Sequence, residues 1–139
     1  MKLSVKSDYA VRAIFGLARH HHEEEACRVE ILAQEQAVPA NYLVQILIEL
    51  KSARIVQSLR GKDGGYRLAR PPGDITLAEV LRCVHGQLFE SPALTDPRCA
   101  PELRAAWKHL QHALTETAES LNFQQLLEAS VEREKMYYI

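Results

Sequence analysis

Five cations, Arg54, Arg60, Lys62, Arg67 and Arg70, stand between positions 54 and 70 against a single acid, Asp63. They fall in and beside SLRGKDGGYRLARPP (58–72), whose glycines Gly61, Gly64 and Gly65 make a flexible tip with few side chains. Two short runs, IVQSLR and GYRLA, flank that tip and predict a β-hairpin. A cationic projection with a bare tip suits phosphate oxygens, because Lys and Arg neutralise their charge while exposed backbone approaches closely. The competing reading is a solvated basic surface with no partner.

Other chemistry finds little support. No nucleophile and base stand at a recognisable spacing, and GKDGG is flanked by two strands, not by the strand and helix of a phosphate-cradling loop. Cys27, Cys83 and Cys99 are odd in number, widely spaced and form no CxxC pair. They make neither a disulfide framework nor a metal tetrad, and they suit a reducing compartment. Cys99 lies just before a predicted helix, where a thiolate is stabilised; it is either a redox sensor or an inert thiol. The chain reads as a binding protein, not an enzyme.

The hairpin needs a body to project from. Ala10, Ala13, Ile14, Leu17 and Ala18 recur at helical spacing and predict a first helix starting at Ser7–Asp8. HHHEEE (20–25) is a polar connector. A short helix over about 29–36 turns Val29, Leu32 and Ala33 inward. After a turn at Ala37–Val38, Pro39 opens a third helix that runs to about Ala53. Its Leu43, Ile46, Leu47 and Leu50 face the core, leaving Asn41, Tyr42, Val44, Gln45 and Ile48 outward. Pro71–Pro72 end the hairpin, and ITLAEVLRCVHG forms a helix from Asp74 or Thr76 that Gly86 stops. Helix–turn–helix followed by a basic hairpin is a winged helix: mainly α, with a small β-hairpin wing.

Residues 86–100 form a loop, and a helix of ~30 Å runs from Pro101 to Ser120. It carries an apolar seam of Trp107, Leu110, Leu114, Thr117 and Leu121, bordered by Leu103, Ala106, Ala113 and Ala118. Such a seam needs a partner, and a second copy is the simplest one. Trp107 anchors that interface or the core. The chain closes on a charged EREK and an apolar MYYI, either a docking peptide for a partner protein or a segment folded back on the dimer. The expected division is a winged helix-turn-helix over 1–86, a loop and potential sensor region over 87–100, and a dimerisation helix with a tail over 101–139.

Composition agrees with an ordinary soluble protein. With 139 residues, 47% hydrophobic and 25% charged, the chain can bury one real core. No apolar run approaches the ~18 residues of a membrane span. Asp8 and Arg12 come too early for a signal peptide, so the cytoplasm is expected. The net charge of −1 hides an asymmetry: residues 1–72 hold 11 Lys and Arg against 8 acids, and residues 73–139 hold 6 against 10. Positive charge concentrates around the hairpin, where the local field matters more than the total.

MKLSVKSDYAVRAI, NYLVQILIELKSARIVQSLRGKDGGYRLARPP and ITLAEVLRCVHG together resemble the Rrf-two family of winged helix-turn-helix transcriptional regulators. The resemblance covers most of residues 1–86; the long helix and EKMYYI are most similar to the family's cysteine-metabolism repressor branch. It implies a homodimer gripping a palindromic site in double-stranded DNA; the family holds repressors and activators, and a repressor is expected here. By resemblance, Pro39, Asn41, Tyr42, Val44 and Gln45 belong to the helix that enters the major groove. Ser58, Arg60, Gly61, Lys62, Gly64 and Tyr66 belong to the wing on the backbone and minor groove. Asn and Gln pair bidentately with adenine, Tyr donates to phosphate, and Arg fits a narrow minor groove; the other reading of Tyr42 is a ring packed in the core. A metabolic enzyme docking on the dimer or its tail is implied by the cysteine-metabolism branch.

Departures from the family pattern are as informative. Ala37 and Arg54 stand where members usually carry glycine, so those turns hold a side chain at positive φ or adopt another φ. Val44 replaces a polar base-reading residue. Members that bind iron–sulfur clusters carry three cysteines in the loop before the long helix, and here that loop holds Cys99 alone. A cluster takes about four ligands; completing one would need cross-subunit donors such as Asp8, His20, His21, His22 or His85. Asp8 is otherwise a first-turn helix acid, Cys83 a small apolar residue and HHHEEE a solvated run. No cofactor is expected. The alternatives left open are a winged-helix module for protein–protein assembly and a cluster- or thiol-based redox variant of the same regulator.

Overall fold

The computed structural model describes residues 2–21, 26–61 and 64–137. Its first helix, α1 (Val5–Arg19), starts earlier than Ser7–Asp8: the Ser4 hydroxyl caps it by accepting from the Ser7 N–H at 3.1 Å. Ser7 therefore falls inside the first turn and is fully buried, its hydroxyl 2.9 Å from that of Ser4. Ala10, Ala13, Ile14, Leu17 and Ala18 form the buried stripe that their spacing predicts. Gly16 lets α2 (Val29–Gln36) lie close, since a Cβ there would come within 2.5 Å of Leu32 Cδ1.

Ala37 ends α2 in the left-handed region at φ 55°, and Arg54 does the same at φ 61° after α3 (Ala40–Ser52). Both turns thus keep the conformation that glycine favours and hold a side chain in it, at a cost of about 1 kcal/mol each. Between them, Leu43, Ile46, Leu47 and Leu50 bury one stripe of α3 in the core, and Pro39 stands at its N-cap.

The wing is an antiparallel pair, β1 (Val56–Leu59) and β2 (Gly65–Leu68), with Ser58 opposite Tyr66 and Val56 opposite Leu68. Cys27 extends it, exchanging two backbone hydrogen bonds of 2.8 Å with Tyr66. Gly65 is obligatory there, because a Cβ would sit 2.2 Å from the Cys27 carbonyl oxygen. Lys62 and Asp63 at the tip lie outside the described residues, as do 22–25 of the His/Glu connector and Tyr138–Ile139.

Thr76, not Asp74, caps α4 (Leu77–Val84), accepting from the Glu79 N–H at 3.2 Å. The loop to the long helix contains a short 3-10 turn at Pro92–Leu94 and a second turn closed by the Cys99 N–H on the Asp96 carbonyl at 3.1 Å, and α5 (Pro101–Ser120) has the expected bounds. Beyond α5 the structure corrects the expected tail. These residues form a sixth helix, α6 (Phe123–Tyr137), which folds back on α1 and on the turn at Pro72–Asp74. A reciprocal cap starts it: the Asn122 carboxamide accepts from the Gln125 N–H at 2.9 Å, and the Gln125 carboxamide accepts from the Asn122 N–H at 3.1 Å. Phe123 is fully buried in the main core, and Arg19 pairs with Glu134 at 3.0 Å across the packed helices.

Candidate nucleic-acid interface

Opposite its core stripe, α3 presents Asn41, Gln45, Ile48 and Ser52 to solvent, at the three- and four-residue steps that define one helix face. Val44 and Lys51 share one flank of this face, and Tyr42 and Glu49 share the other. Tyr42 is 58% exposed, which removes the core reading; its ring meets that of Tyr9 edge-on at 6.2 Å, and Arg12 lies 6.0 Å from the same Tyr9 ring. Glu49 pairs with Lys6 at 2.7 Å. These contacts tie the Tyr42–Glu49 flank to α1.

The Lys51 flank turns toward the wing. Lys51, Arg54, Val56, Gln57, Ser58, Arg60 and Ala69 line one shallow groove between the end of α3 and β1. Among the described residues none of its three cations pairs with a carboxylate, so all three are available to an anion. Lys51 and Gln57 carried no signal in the sequence. Both belong here because the tight turn at Arg54 folds the helix end against the strand.

The hairpin contributes fewer free cations than its composition promised. Arg70 is paired with Glu79 and donates to the Asp74 carbonyl at 3.0 Å, while Arg67 donates to Gln57 across the hairpin at 3.3 Å. Both guanidiniums brace the wing and leave Arg54 and Arg60 exposed. Tyr66 is half-buried against the core, its backbone engaged by Cys27, and so supports the wing from behind. Gly61 at φ 106° and Gly64 close the tip, the Gly64 N–H donating to the Gly61 carbonyl at 3.0 Å.

The seam of α5 is divided. Leu103 and Leu110 are 51% and 48% exposed, whereas Trp107 stacks on Phe89 with ring centroids 6.0 Å apart. Leu114 and Leu121 look into an apolar hollow shared with Leu3, Leu77, Leu81 and Leu88 of the same chain.

The three thiols lie apart in the fold. Cys27 is in the extended wing, and Cys83 donates to the Glu49 carbonyl at 3.5 Å, its pKa raised by burial and by the nearby Glu49 charge. Cys83 is thus held as a thiol behind α3. Asp8 is engaged by Arg12 at 3.0 Å and His20 by Glu35 at 2.8 Å. Among the described residues no three His, Cys, Asp or Glu side chains converge as metal ligands. None of the described helices is long and apolar enough to cross a membrane.

The sequence profile of Rrf2, described as an iron-dependent transcriptional regulator, matches residues 3–129. A transcriptional regulator of helix-turn-helix type from Mycobacterium tuberculosis is 44% identical over 88 residues, which are 63% of this chain and 54% of that protein. The match thus spans about half the length of that relative. CymR of Bacillus subtilis is 30% identical over 126 residues, covering 91% of this chain and 89% of that one. Among solved structures, T. potens IscR superposes with a TM-score of 0.81 at 30% identity, over 99% of this chain and 97% of the other. The B. subtilis CymR structure gives 0.82 at 27% identity, over 93% and 98%.

Iron does not fit the donors of this chain's loop. Cys99 is its one thiol, and the Asp96 carboxylate is turned onto the Arg98 N–H at 2.9 Å. A cluster wants about four ligands, most of them thiolates, and the described residues of one chain do not bring them together.

Proposed function

This chain belongs to the Rrf2 family of transcriptional regulators, and we propose that it acts as a cytoplasmic homodimer that recognises a palindromic operator and represses from it. As its relatives are transcriptional regulators, it works by binding and not by turnover. In this reading α3 lies in the major groove with Asn41 and Gln45 toward base edges and Val44 against a thymine methyl. Arg60 and Ser58 follow the backbone into the minor groove, with Lys51 and Arg54 on the phosphates between helix and wing. The observation that carries it is the groove itself, where three cations that pair with no carboxylate among the described residues join the end of α3 to β1. The exposed Met136 and Tyr137 at the end of α6 give a partner enzyme a place to dock.

Arg60→Ala tests the wing. Loss of one phosphate or minor-groove contact is expected to weaken binding to every duplex and to reduce the salt slope by about one unit. An unchanged slope with intact folding removes Arg60 from the interface. Base reading is tested separately: Asn41→Ala or Gln45→Ala should cost about 1–3 kcal/mol on the operator and far less on random DNA. Equal losses on both would make these side chains backbone anchors.

A further inference from the structure

Three carbonyls of the loop before α5, those of Ala93, Asp96 and Cys99, stand at three-residue intervals and converge on one side chain. That side chain is Arg104, half-buried on the first turn of α5. Its Nε donates to Ala93 at 3.3 Å, and its Nη2 donates to Asp96 and, at 3.1 Å, to Cys99. The spacing has a local cause. Successive tight turns, with Thr95 and Asp96 donating to Pro92 and Cys99 donating to Asp96, bring every third carbonyl to the same side. A guanidinium is a planar fork of donors with no acceptor, so three carbonyls satisfy it well where an ammonium would reach fewer.

Two further residues extend the contact along α5. Trp107 stacks on Phe89, and Gln111 donates to the Phe89 carbonyl at 3.2 Å. Positions 104, 107 and 111 share one stripe of the helix, beside the exposed Leu103 and Leu110. The stripe that grips the loop therefore adjoins the stripe proposed to meet a second copy.

We propose that Arg104 is the positioning residue of this regulator: it fastens residues 93–99 to α5 by protein contacts alone and so fixes the direction of the dimer seam without iron. The inference rests on the dimeric DNA-binding reading for its consequence, the spacing between two recognition helices, but not for the fastening itself. A loop held by Arg104 needs no metal to be ordered, which accounts for a single thiol where the family description implies iron.

Hydrogen exchange on the full chain, without DNA, tests the fastening. Arg104→Ala should speed exchange of the amides of 94–99 by about tenfold or more, as local opening becomes easier. Arg104→Lys should rescue little of this, since it keeps the charge and loses the fork. Ferrous iron or a chelator should leave wild-type exchange unchanged. Operators whose half-sites are moved apart or together by one base pair then test the positioning: wild type should discriminate among them and Arg104→Ala should not. Unchanged exchange in Arg104→Ala, full rescue by lysine, or slower wild-type exchange with ferrous iron would overturn the fastening. Faster exchange with intact spacing discrimination would overturn the positioning while leaving the DNA reading in place. Failure of the wild type to bind any duplex would defeat that reading, and the exchange data would still decide the fastening.

Discussion

Phe123→Ala is expected to destabilise the protein by about 3–5 kcal/mol, the range for truncating a fully buried aromatic ring. At the usual stability of a domain, about 5–15 kcal/mol, that is a large share, and the melting temperature should fall by roughly 10–20 °C. The ring enters the core from the start of α6, and its own N–H donates to the Ile75 carbonyl at 3.2 Å, beside the Leu77 to Leu121 backbone bond of 2.8 Å. Truncation would leave a cavity where α6 meets the winged helix, so α1 and the turn at Pro72–Asp74 would lose a common support. A thermal melt that moves by less than about 3 °C would mean that α6 is an appendage and not part of the core.

Leu110→Asp is expected to leave the chain folded and break the dimer. Leu110 is half exposed, so an aspartate there costs the isolated chain little. In a dimer seam the same carboxylate would lose its water without gaining a partner. Palindrome affinity should fall by ~100-fold or more, because the second half-site no longer binds at the effective concentration that linkage supplies. Leu114 is a poorer probe, since it lines an apolar hollow of its own chain and its replacement would disturb folding as well. Sedimentation and operator titration measure both quantities. A wild-type monomer, or a Leu110→Asp dimer with unchanged affinity, would remove the seam.

The readable parts of the fold were those whose signal is local. The burial of Leu43, Ile46, Leu47 and Leu50, the bounds of α5 and the Gly-rich wing come from periodicity and turn chemistry within a few residues. Arg67 and Arg70 misled because composition counts charges without their partners, and Glu79 of α4, nine residues on, meets Arg70 only through the turn at Pro72–Asp74 that lies between them. Lys51 joined the site for the converse reason, through a turn made at Arg54. The missed α6 did have a local signal. Asn122 and Gln125 stand at capping-box spacing before Leu126 and Leu127, but EREK and MYYI after them point to a docking peptide or a folded-back tail and draw attention away from that cap. Arg104 left no trace in the sequence, because its acceptors are backbone carbonyls, which every residue carries.

Selection of bound duplexes from a random library, and then titration of the winning sequence over a range of salt, tests the central reading most directly. A dimeric regulator should enrich a two-fold symmetric sequence with half-sites about one helical turn apart. It should bind that sequence ~10³-fold or more above random DNA, with affinity falling steeply and log-linearly as salt rises. A library that emerges without enrichment, together with binding that salt does not weaken, would contradict it.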